Sequence, residues 1–291
     1  MTPAVIRSLH GSACRLDLNL PCIMGILNVT PDSFSDGGRY LDVDAALRQA
    51  LAMEQQGAGL LDIGGESTRP GAPEVSVEVE LERVIPVIEK LRRETDLPLS
   101  VDTTKAVVAR AAISAGANFI NDISGLQFDP DMARTAAETG AGLFVMHTRG
   151  RPKVMQRDTA YQDLVDEVLA SLRHSLDLAL AAGVAQDHLA VDPGIGFGKS
   201  VQGNLELLNR VEALQQLNCP VLLGTSRKSF IGAVLDRENP RERLAGTLAT
   251  VALGVARGVQ IFRVHDVAPA RDAALLAWAV REQALPETGV V

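Results

Sequence analysis

The chain has 291 residues and a net charge of −8, from 28 basic and 36 acidic residues, which argues against a nucleic-acid partner. Hydrophobic residues make up 46% of the chain, enough for a large core, but no apolar run is long enough to suggest a membrane partner. Because the three cysteines are widely spaced and no signal-peptide pattern is visible, we expect a cytoplasmic protein.

Residues 5–20 contain short apolar stretches around His10-Gly11-Ser12, which predict a hairpin ahead of the main fold. Beyond them, strand-like and helix-like patterns alternate along the chain. Strands are predicted at 22–27, 60–63, 97–101, 118–120, 142–146, 189–191, 220–223 and 260–264. Helices are predicted at 43–56, 77–93, 105–115, 130–139, 164–182, 204–216, 241–257 and 269–282.

Eight strand-then-helix units of this kind are typical of the α/β class. They favour a closed (β/α)8 TIM barrel, with an open doubly wound sheet as the competing topology. No linker rich in Pro, Gly or Ser divides the chain. We therefore expect residues 1–291 to form a single domain with a short N-terminal hairpin.

Polar or charged residues follow each predicted strand at its C-terminal end. In a (β/α)8 barrel these ends meet on one face, where such folds keep their active sites. A single Asp at such a position is often a helix cap, but a whole set favours a polar pocket. The residues are Asn28, Asp62, Asp102, Asn121, Asp122, His147, Asp192, Ser226, Arg227, Lys228, Ser229, Arg263, His265 and Asp266.

Three of these residues suit a flat heterocycle that is rich in hydrogen-bond donors. Asp102 and Asp192 supply carboxylates, which accept from ring N–H and amino groups. Asn121 supplies an amide, which both donates and accepts. The alternative is a buried polar network that only links neighbouring strands.

Local positive groups follow the second, seventh and eighth predicted strands, namely Arg69, Lys228, Arg263 and His265. Together they suit a phosphate or a diphosphate, although pairing with the many acidic residues at the surface is the ordinary alternative. Asn28 offers an oxygen to a hard divalent cation, or else is a turn residue. His147 is assigned no role.

The segment VDPGIGFGKS (191–200) looks like a phosphate-binding loop but has the wrong spacing, because three residues instead of four separate Gly194 from Gly198. The sequence contains no HExxH and no paired Cys-His spacing of the kind that binds zinc. It also contains no GxSxG elbow to anchor a hydrolase triad. The strand-end pocket is therefore the main candidate for function.

Seven segments, in the same order along the chain, resemble the dihydropteroate synthase family of the folate pathway. They are MGILNVTPDSFSDGG (24–38), DIGGESTRPGA (62–72), SVDT (100–103), NDISG (121–125), DPGIGFGK (192–199), SRKSFIG (226–232) and RVHDV (263–267). The resemblance implies a (β/α)8 transferase, commonly a homodimer. It implies condensation of 6-hydroxymethyl-7,8-dihydropterin diphosphate with 4-aminobenzoate, release of pyrophosphate with help from Mg2+, and inhibition by sulfonamides.

The resemblance assigns the pterin to strand-end residues, which are Asp102, Asn121, Asp192 and Lys228. It implies that Asp102, Lys228 and Arg263 are the catalytic residues. A buried, anionic Asp102 would stabilise the cationic pterin methylene that remains when diphosphate leaves. The arylamine then attacks without a strong base, which agrees with the lack of such a base among the motifs.

The same resemblance assigns the other ligand contacts to the loops. The diphosphate contacts match Thr68, Arg69, Arg263 and His265, with Arg263 also lying over the pterin. The aminobenzoate pocket matches Phe34, Pro70 and Ser229. Asn28 matches the residue at the metal and diphosphate, so it is the expected Mg2+ ligand. Lys228 and Ser229 open a helix, whose N-terminus would favour the aminobenzoate carboxylate.

Two other functions share part of this pattern. A pterin-binding methyltransferase on a similar barrel would use the carboxylate and amide pocket but would have no use for a diphosphate clamp. A catalytically silent pterin-binding protein would not need the loops after the first and second strands. A turnover assay scored by pyrophosphate release separates the three functions.

Overall fold

The computed structural model describes residues 6–30, 39–68 and 71–286, without the side chains of 39–42. The strands in these ranges are β1 (Ser8–Gly11), β2 (Cys14–Asp17), β3 (Cys22–Asn28), β4 (Leu60–Gly64), β5 (Leu99–Asp102), β6 (Phe119–Asp122), β7 (Gly142–Met146), β8 (Leu189–Asp192), β9 (Leu222–Leu223) and β10 (Ile261–Val264). The α-helices are α1 (Arg39–Gln55), α2 (Val77–Glu94), α3 (Ala106–Ser114), α4 (Met132–Thr139), α5 (Leu164–Ala181), α6 (Val201–Asn209), α7 (Ser229–Leu235), α8 (Leu244–Ala256) and α9 (Val267–Glu282). In the described part of the chain, we find no helix with the length and apolarity needed to span a membrane.

Strands β3 to β10 form one eight-stranded sheet in the spatial order β8-β7-β6-β5-β4-β3-β10-β9, and every neighbouring pair is parallel. The two ends of this sheet meet where Val191 of β8 forms a parallel bridge with Val221. There the N–H of Val191 donates to the carbonyl of Pro220 at 2.9 Å. The sheet therefore closes, and the predicted (β/α)8 barrel is confirmed over the open doubly wound sheet.

Alternation along the strands explains why they appear in the sequence as continuous apolar runs. Outward-facing residues such as Ile23, Val101 and Leu143 belong to the large apolar cluster under the helices. Their neighbours along the chain face inward, and Met24 and Phe144 belong to a second cluster inside the barrel. A parallel strand that is covered on both faces needs apolar residues on both faces.

The predicted hairpin is also confirmed, since β1 and β2 pair antiparallel, and it covers the N-terminal end of the barrel. The Ser12 N–H donates to the Asn118 carbonyl at 3.0 Å, and the Asn118 side-chain amide donates to the Ser12 carbonyl at 2.8 Å. Gly142 permits this close approach. A Cβ at Gly142 would lie 2.2 Å from the ring of Phe119 and 2.5 Å from the carbonyl oxygen of His10.

The helices depart from the prediction in the last third of the chain. The helix predicted at 204–216 is two elements, α6 and a 3-10 helix (Val211–Leu217), which meet at Arg210. A second 3-10 helix (Pro240–Arg243) leads into α8. The α7 helix has only seven residues, too few to produce a periodic apolar pattern. The last helix starts at Val267, so Pro269 lies in its first turn, where no N–H is needed for a helical hydrogen bond.

Candidate active site

Alternation along the strands divides the barrel interior into two layers. The lower layer, near the N-terminal ends of the strands, is apolar and contains Met24, Leu60, Phe119, Phe144, Ala190, Leu222 and Ile261. Inward-facing positions recur every second residue, so the next layer toward the C-terminal ends is offset by two residues. This upper layer carries the charged and amide side chains of Asp62, Asp102, Asn121, Asp192 and Arg263. Three of the predicted pterin residues therefore share the interior of the barrel.

A connected set of hydrogen bonds crosses the upper layer from β10 to β6. Arg263 donates from Nε to Asp62 Oδ2 at 2.6 Å and from Nη2 to Asp102 Oδ2 at 2.7 Å. The amide of Asn121 donates to the same Asp62 oxygen at 3.0 Å. The buried network that the sequence left open as an alternative is therefore present, and it joins the predicted site residues Asp102, Asn121 and Arg263 through Asp62.

The charges in this network strongly affect one another. Burial raises the pKa of Asp102 to about 7, and the nearby Arg263 guanidinium only partly offsets that rise. Burial opposes the charge on Arg263, but the carboxylates of Asp62 and Asp102 raise its pKa above the ordinary value. Asp62 Oδ1 and Asp102 Oδ1 have no hydrogen-bond partner within the described ranges. A buried acceptor without a donor costs about 1–3 kcal/mol, so a ligand that brings N–H groups would relieve this cost.

Asp192 and Lys228 form a second charged pair in the interior. The Gly194 N–H donates to Asp192 Oδ1 at 2.7 Å, while burial raises the pKa of Asp192 against the opposing charge of Lys228. Burial lowers the pKa of Lys228 to about 8. A Cβ built on Gly224 would lie 3.8 Å from Asp192 Oδ2, 3.9 Å from Lys228 Nζ and 3.8 Å from Arg263 Cβ. The three side chains therefore surround one point next to β9.

The glycine-rich segment after β8 contacts this lysine. The Lys228 amine donates to the carbonyl of Ile195 and lies 4.7 Å from the ring centroid of Phe197. Gly194 has a φ of +67°, and a Cβ on it would stand 1.9 Å from the carbonyl oxygen of His147. The segment therefore needs glycine for close packing against the end of β7.

His147 and Lys199 form a buried pair that was not predicted from the sequence. The Lys199 amine lies 2.8 Å from His147 Nδ1 and donates to the Phe197 carbonyl at 2.8 Å. Burial is the main cause of the low pKa of His147, about 3, and burial also holds the pKa of Lys199 well below its ordinary value. The imidazole and the lysine amine share this hydrogen bond, and the pair fixes the glycine-rich segment to β7.

Two more acidic residues belong to the site region without having been predicted as site residues. Asp62 is fully buried and joins Arg263 to Asn121, although the sequence marked it only as a strand-end residue. Because Asp62 lies two residues after Leu60, which faces the barrel interior, the alternation along the strand could have shown that Asp62 also faces inward. Glu80 of α2 is also fully buried and accepts from the Lys105 amine at 2.5 Å. Nothing in the helical pattern distinguishes Glu80 from an ordinary surface glutamate.

Asn28 and Thr68 lie at the rim beside the upper layer. From the point where a Cβ would stand on Gly64, Asn28 Oδ1 is 3.6 Å away and Asp102 Oδ2 is 3.7 Å away. Thr68 and Asp102 both line a pocket of about 170 Å3. The other predicted loop residues lie outside the described ranges, namely Phe34, Arg69 and Pro70.

The segments after β9 and β10 are tied together at the opposite part of the rim. Ser226 Oγ and His265 Nδ1 are 2.9 Å apart, and the His265 N–H donates to the same oxygen at 3.2 Å. Arg227 and Asp266 form two hydrogen bonds of 2.9 and 2.5 Å. Ser229 is the first residue of α7. Arg227 and His265 therefore lie near the mouth of the barrel, above the buried carboxylates of the upper layer.

The chain is similar in sequence and in fold to known proteins of one family. The family model described as "Pterin binding enzyme" matches residues 24–265. A dihydropteroate synthase of Synechocystis sp. is 50% identical over 245 residues, which is 84% of this chain and 85% of that protein. The structure of Xanthomonas albilineans dihydropteroate synthase with 4-aminobenzoic acid has a TM-score of 0.89 and 46% identity, covering 96% of this chain and 99% of that one.

The Xanthomonas albilineans enzyme in complex with 7,8-dihydropteroate gives a TM-score of 0.86 at 44% identity, covering 96% of this chain and 100% of that one. Both the sequence match and the structural match extend over most of the chain. The chain therefore belongs to the dihydropteroate synthases within the family of pterin binding enzymes.

Proposed function

We propose that this chain is a transferase that condenses 6-hydroxymethyl-7,8-dihydropterin diphosphate with 4-aminobenzoate, giving 7,8-dihydropteroate and pyrophosphate. The observation that carries the proposal is the contact of Arg263 with both Asp62 and Asp102, since it sets paired buried charges at the floor of the pocket. The relatives crystallised with 4-aminobenzoic acid and with 7,8-dihydropteroate support the same arylamine and the same product.

The pterin ring is proposed to lie across the upper layer. Its N–H and amino groups would donate to Asp102 and Asp192, and the Asn121 amide would pair with a ring nitrogen or oxygen. The Oδ1 of Asp102 supports this assignment because it is a buried acceptor without a partner among the described residues. Lys228, beside Asp192, would donate to the ring carbonyl. The ring would then form hydrogen bonds with buried polar groups whose lack of a partner would otherwise cost stability.

The reaction breaks the bond between the pterin methylene carbon and the diphosphate oxygen and forms a bond from that carbon to the arylamine nitrogen. The electron pair of the broken bond leaves with pyrophosphate, and the amine nitrogen loses one proton to solvent or to the leaving group. The methylene carries positive charge between these events. Asp102 in its anionic form stabilises that charge, and a fixed carboxylate needs no reorganisation to do so.

Asn28 is the residue proposed to hold Mg2+. Its amide oxygen lies near Asp102 at the rim, and an amide oxygen is the type of ligand that a hard cation takes together with phosphate oxygens and water. When bound, Mg2+ would neutralise charge on the diphosphate and improve it as a leaving group.

The remaining contacts are proposed for the two ends of the substrates. Thr68, Arg69, Arg263 and His265 would hold the diphosphate. Phe34, Pro70 and Ser229 would form the aminobenzoate pocket. Ser229 is suited to the carboxylate because it begins α7 next to Lys228, so that a hydroxyl and a positive charge lie close together.

Pyrophosphate release from the pterin diphosphate, measured with and without 4-aminobenzoate, tests the proposal directly. We expect release that depends on 4-aminobenzoate and a product with the mass of 7,8-dihydropteroate. Methyl transfer from a methylated folate would instead favour the methyltransferase. Binding of the pterin diphosphate without any turnover would favour a silent binding protein.

We also propose that residues 1–291 form a single cytoplasmic domain that assembles as a homodimer. Leu276 and Val280 support the dimer, because they lie one turn apart on α9 with 69% and 71% of their surface exposed. Leu253 of the neighbouring α8 is also 51% exposed. Analytical ultracentrifugation should find a dimer that Val280→Asp converts to a monomer. Val107→Asp on α3, also at an exposed position, is the control that should stay dimeric.

A further inference from the structure

Three metal-binding side chains come together at the end of the barrel opposite the active site. His10 lies on β1 of the hairpin, while Asp187 and His188 lie in the 3-10 helix Gln186–His188 that leads into β8. One ligand atom from each of the three residues lies within 4.8 Å of the other two. Neither the proposed reaction nor the sequence motifs make use of this cluster.

The distances fit a tetrahedral ion. Two ligands at about 2.1 Å from a tetrahedral metal lie about 3.4 Å apart. His10 Nδ1 and Asp187 Oδ2 are 3.5 Å apart before any ion is considered. The rings of His10 and His188 have centroids 5.8 Å apart and planes tilted by 59°, and a nitrogen of each ring lies within 4.8 Å of the other.

The backbone holds the three residues in place from both sides. His10 pairs with Arg15 across the hairpin, and its carbonyl oxygen packs closely against Gly142 of the barrel. His188 is held by its N–H, which donates to the carbonyl of Ala185 at 3.0 Å. The ligands therefore come from two segments that are already in contact. An ion at this point would join the hairpin to the start of β8.

We propose that His10, Asp187 and His188 form a binding site for a divalent transition-metal ion of the Zn2+ type. Two imidazoles and a carboxylate are the ligands that Zn2+ takes, whereas Mg2+ prefers oxygen ligands alone. Water completes the fourth position. The side chain of Asp187 is 59% exposed and that of His10 is 38% exposed, so the ion exchanges with solvent. The site lies a full strand away from Asp192, about 13 Å at 3.3 Å per residue, and acts on stability instead of on the reaction.

Metal binding is measured on untagged protein with Co2+, whose visible absorption reports tetrahedral coordination, and with Zn2+ in competition. The wild type should bind one Co2+ per chain, displaced by Zn2+. His10→Ala and His188→Ala should each weaken binding by about 10-fold or more. His174→Ala is the matched control, because His174 is an exposed histidine on α5 outside the cluster, and it should bind as the wild type does.

Two further measurements keep the proposal open to contradiction even if a variant folds poorly. Zn2+ at about 100 times its Kd should raise the Tm of the wild type by roughly 5 °C, and Mg2+ should not. Titration of 15N-histidine-labelled wild type with Zn2+ should shift the imidazole signals of His10 and His188 ahead of the others. Absence of a Co2+ spectrum, equal binding by His10→Ala and the wild type, or signal shifts confined to other histidines would overturn the proposal. Asp187→Asn should bind more weakly, and an unchanged affinity would remove Asp187 and with it the three-residue site.

Discussion

The two layers inside the barrel lie on the same strands, two residues apart, and yet they do opposite things. Phe119 and Asn121 both face inward from β6, and Leu60 and Asp62 both face inward from β4. The lower layer buries apolar surface and favours folding. The upper layer buries charges whose desolvation opposes folding unless good partners offset it. The position along the strand, and not the strand itself, decides whether a residue adds to the apolar core or buries a charge.

The upper layer keeps features that a purely structural network would avoid. Asp62 and Asp102 lie close enough to share one guanidinium, and one oxygen of each has no partner within the described residues. Buried charges retained at a cost in stability are typical of functional sites. The comparison therefore predicts that substitutions in the lower layer change stability, whereas substitutions in the upper layer change turnover.

The largest effect is expected for Phe119→Ala in the lower layer. The ring is fully buried and packs against Gly142 and the ring of Phe144, whose centroid is 5.7 Å away. Its loss should cost about 3–5 kcal/mol of stability. Urea unfolding followed by circular dichroism measures this. Phe119→Leu, which leaves a smaller cavity, should cost less. The KM for the pterin diphosphate should stay the same in the fraction that remains folded, and a raised KM would contradict the separation of the layers.

Asp102→Asn tests the upper layer in the opposite way. The amide keeps the shape but loses the negative charge, so kcat should fall by about 10²–10³-fold, as for other residues that stabilise transition-state charge. The unfolding free energy should change little, because burial already penalises that charge. Steady-state pyrophosphate release and urea unfolding measure the two quantities.

Asp122→Asn is the matched control for that prediction. Asp122 is a buried carboxylate next to Asn121, but its oxygens accept from the backbone N–H groups of Ser124 and Leu126, both at 2.8 Å. It should therefore lose stability more than turnover. Equal losses of turnover in Asp102→Asn and Asp122→Asn would show that the charge of Asp102 has no special role.

Much of the fold follows from local patterns in the sequence. The eight apolar strands that alternate with helices predicted the barrel. The observed strands lie within one or two residues of their predicted bounds. The interior positions of Asp102, Asn121 and Asp192 follow from the same geometry. The start of a helix at Ser229 was predicted, but the seven-residue length of α7 and the break at Arg210 could not be, because neither produces a periodic apolar pattern.

The pairings inside the site depend on contacts between distant segments. Arg263 and Asp102 are separated by 161 positions in the chain, and nothing local at either residue indicates that they meet. The same holds for Lys199 with His147, which only packing brings together. The sequence therefore indicated which residues carry charge at the strand ends, but closure of the barrel decides which of them pair.

The pH dependence of turnover sharpens the comparison, because the upper layer contains two groups with displaced pKa values. Burial raises the pKa of Asp102 to about 7, so below that pH Asp102 gains a proton and loses its charge. Burial lowers the pKa of Lys228 to about 8, so above that pH Lys228 loses its charge. The kcat/KM for the pterin diphosphate should be bell-shaped, falling about tenfold per pH unit outside this window.

The Asp102→Asn variant tests which group causes the fall in kcat/KM at low pH. With saturating 4-aminobenzoate, Asp102→Asn should lose the acidic limb and keep the basic one. Ionisation of the substrates is the same for both enzymes, so it cancels in the comparison. An acidic limb that persists in Asp102→Asn would assign it to another group.

The smallest effect is expected at the rim, where His265 forms hydrogen bonds with Ser226. His265→Ala should weaken binding of the pterin diphosphate by about tenfold, the value of one good hydrogen bond to a charged group. Binding of a pterin without phosphates should stay the same, because a phosphate contact acts only when the phosphate is present.

Arg263→Ala should weaken the binding of both ligands, since it also leaves Asp62 and Asp102 without their guanidinium. Calorimetric titration of both ligands into both variants, with Ser226→Ala to measure the effect of losing the histidine's partner, decides the matter. Equal losses for the two ligands in His265→Ala would show that His265 supports the pocket and does not bind the diphosphate.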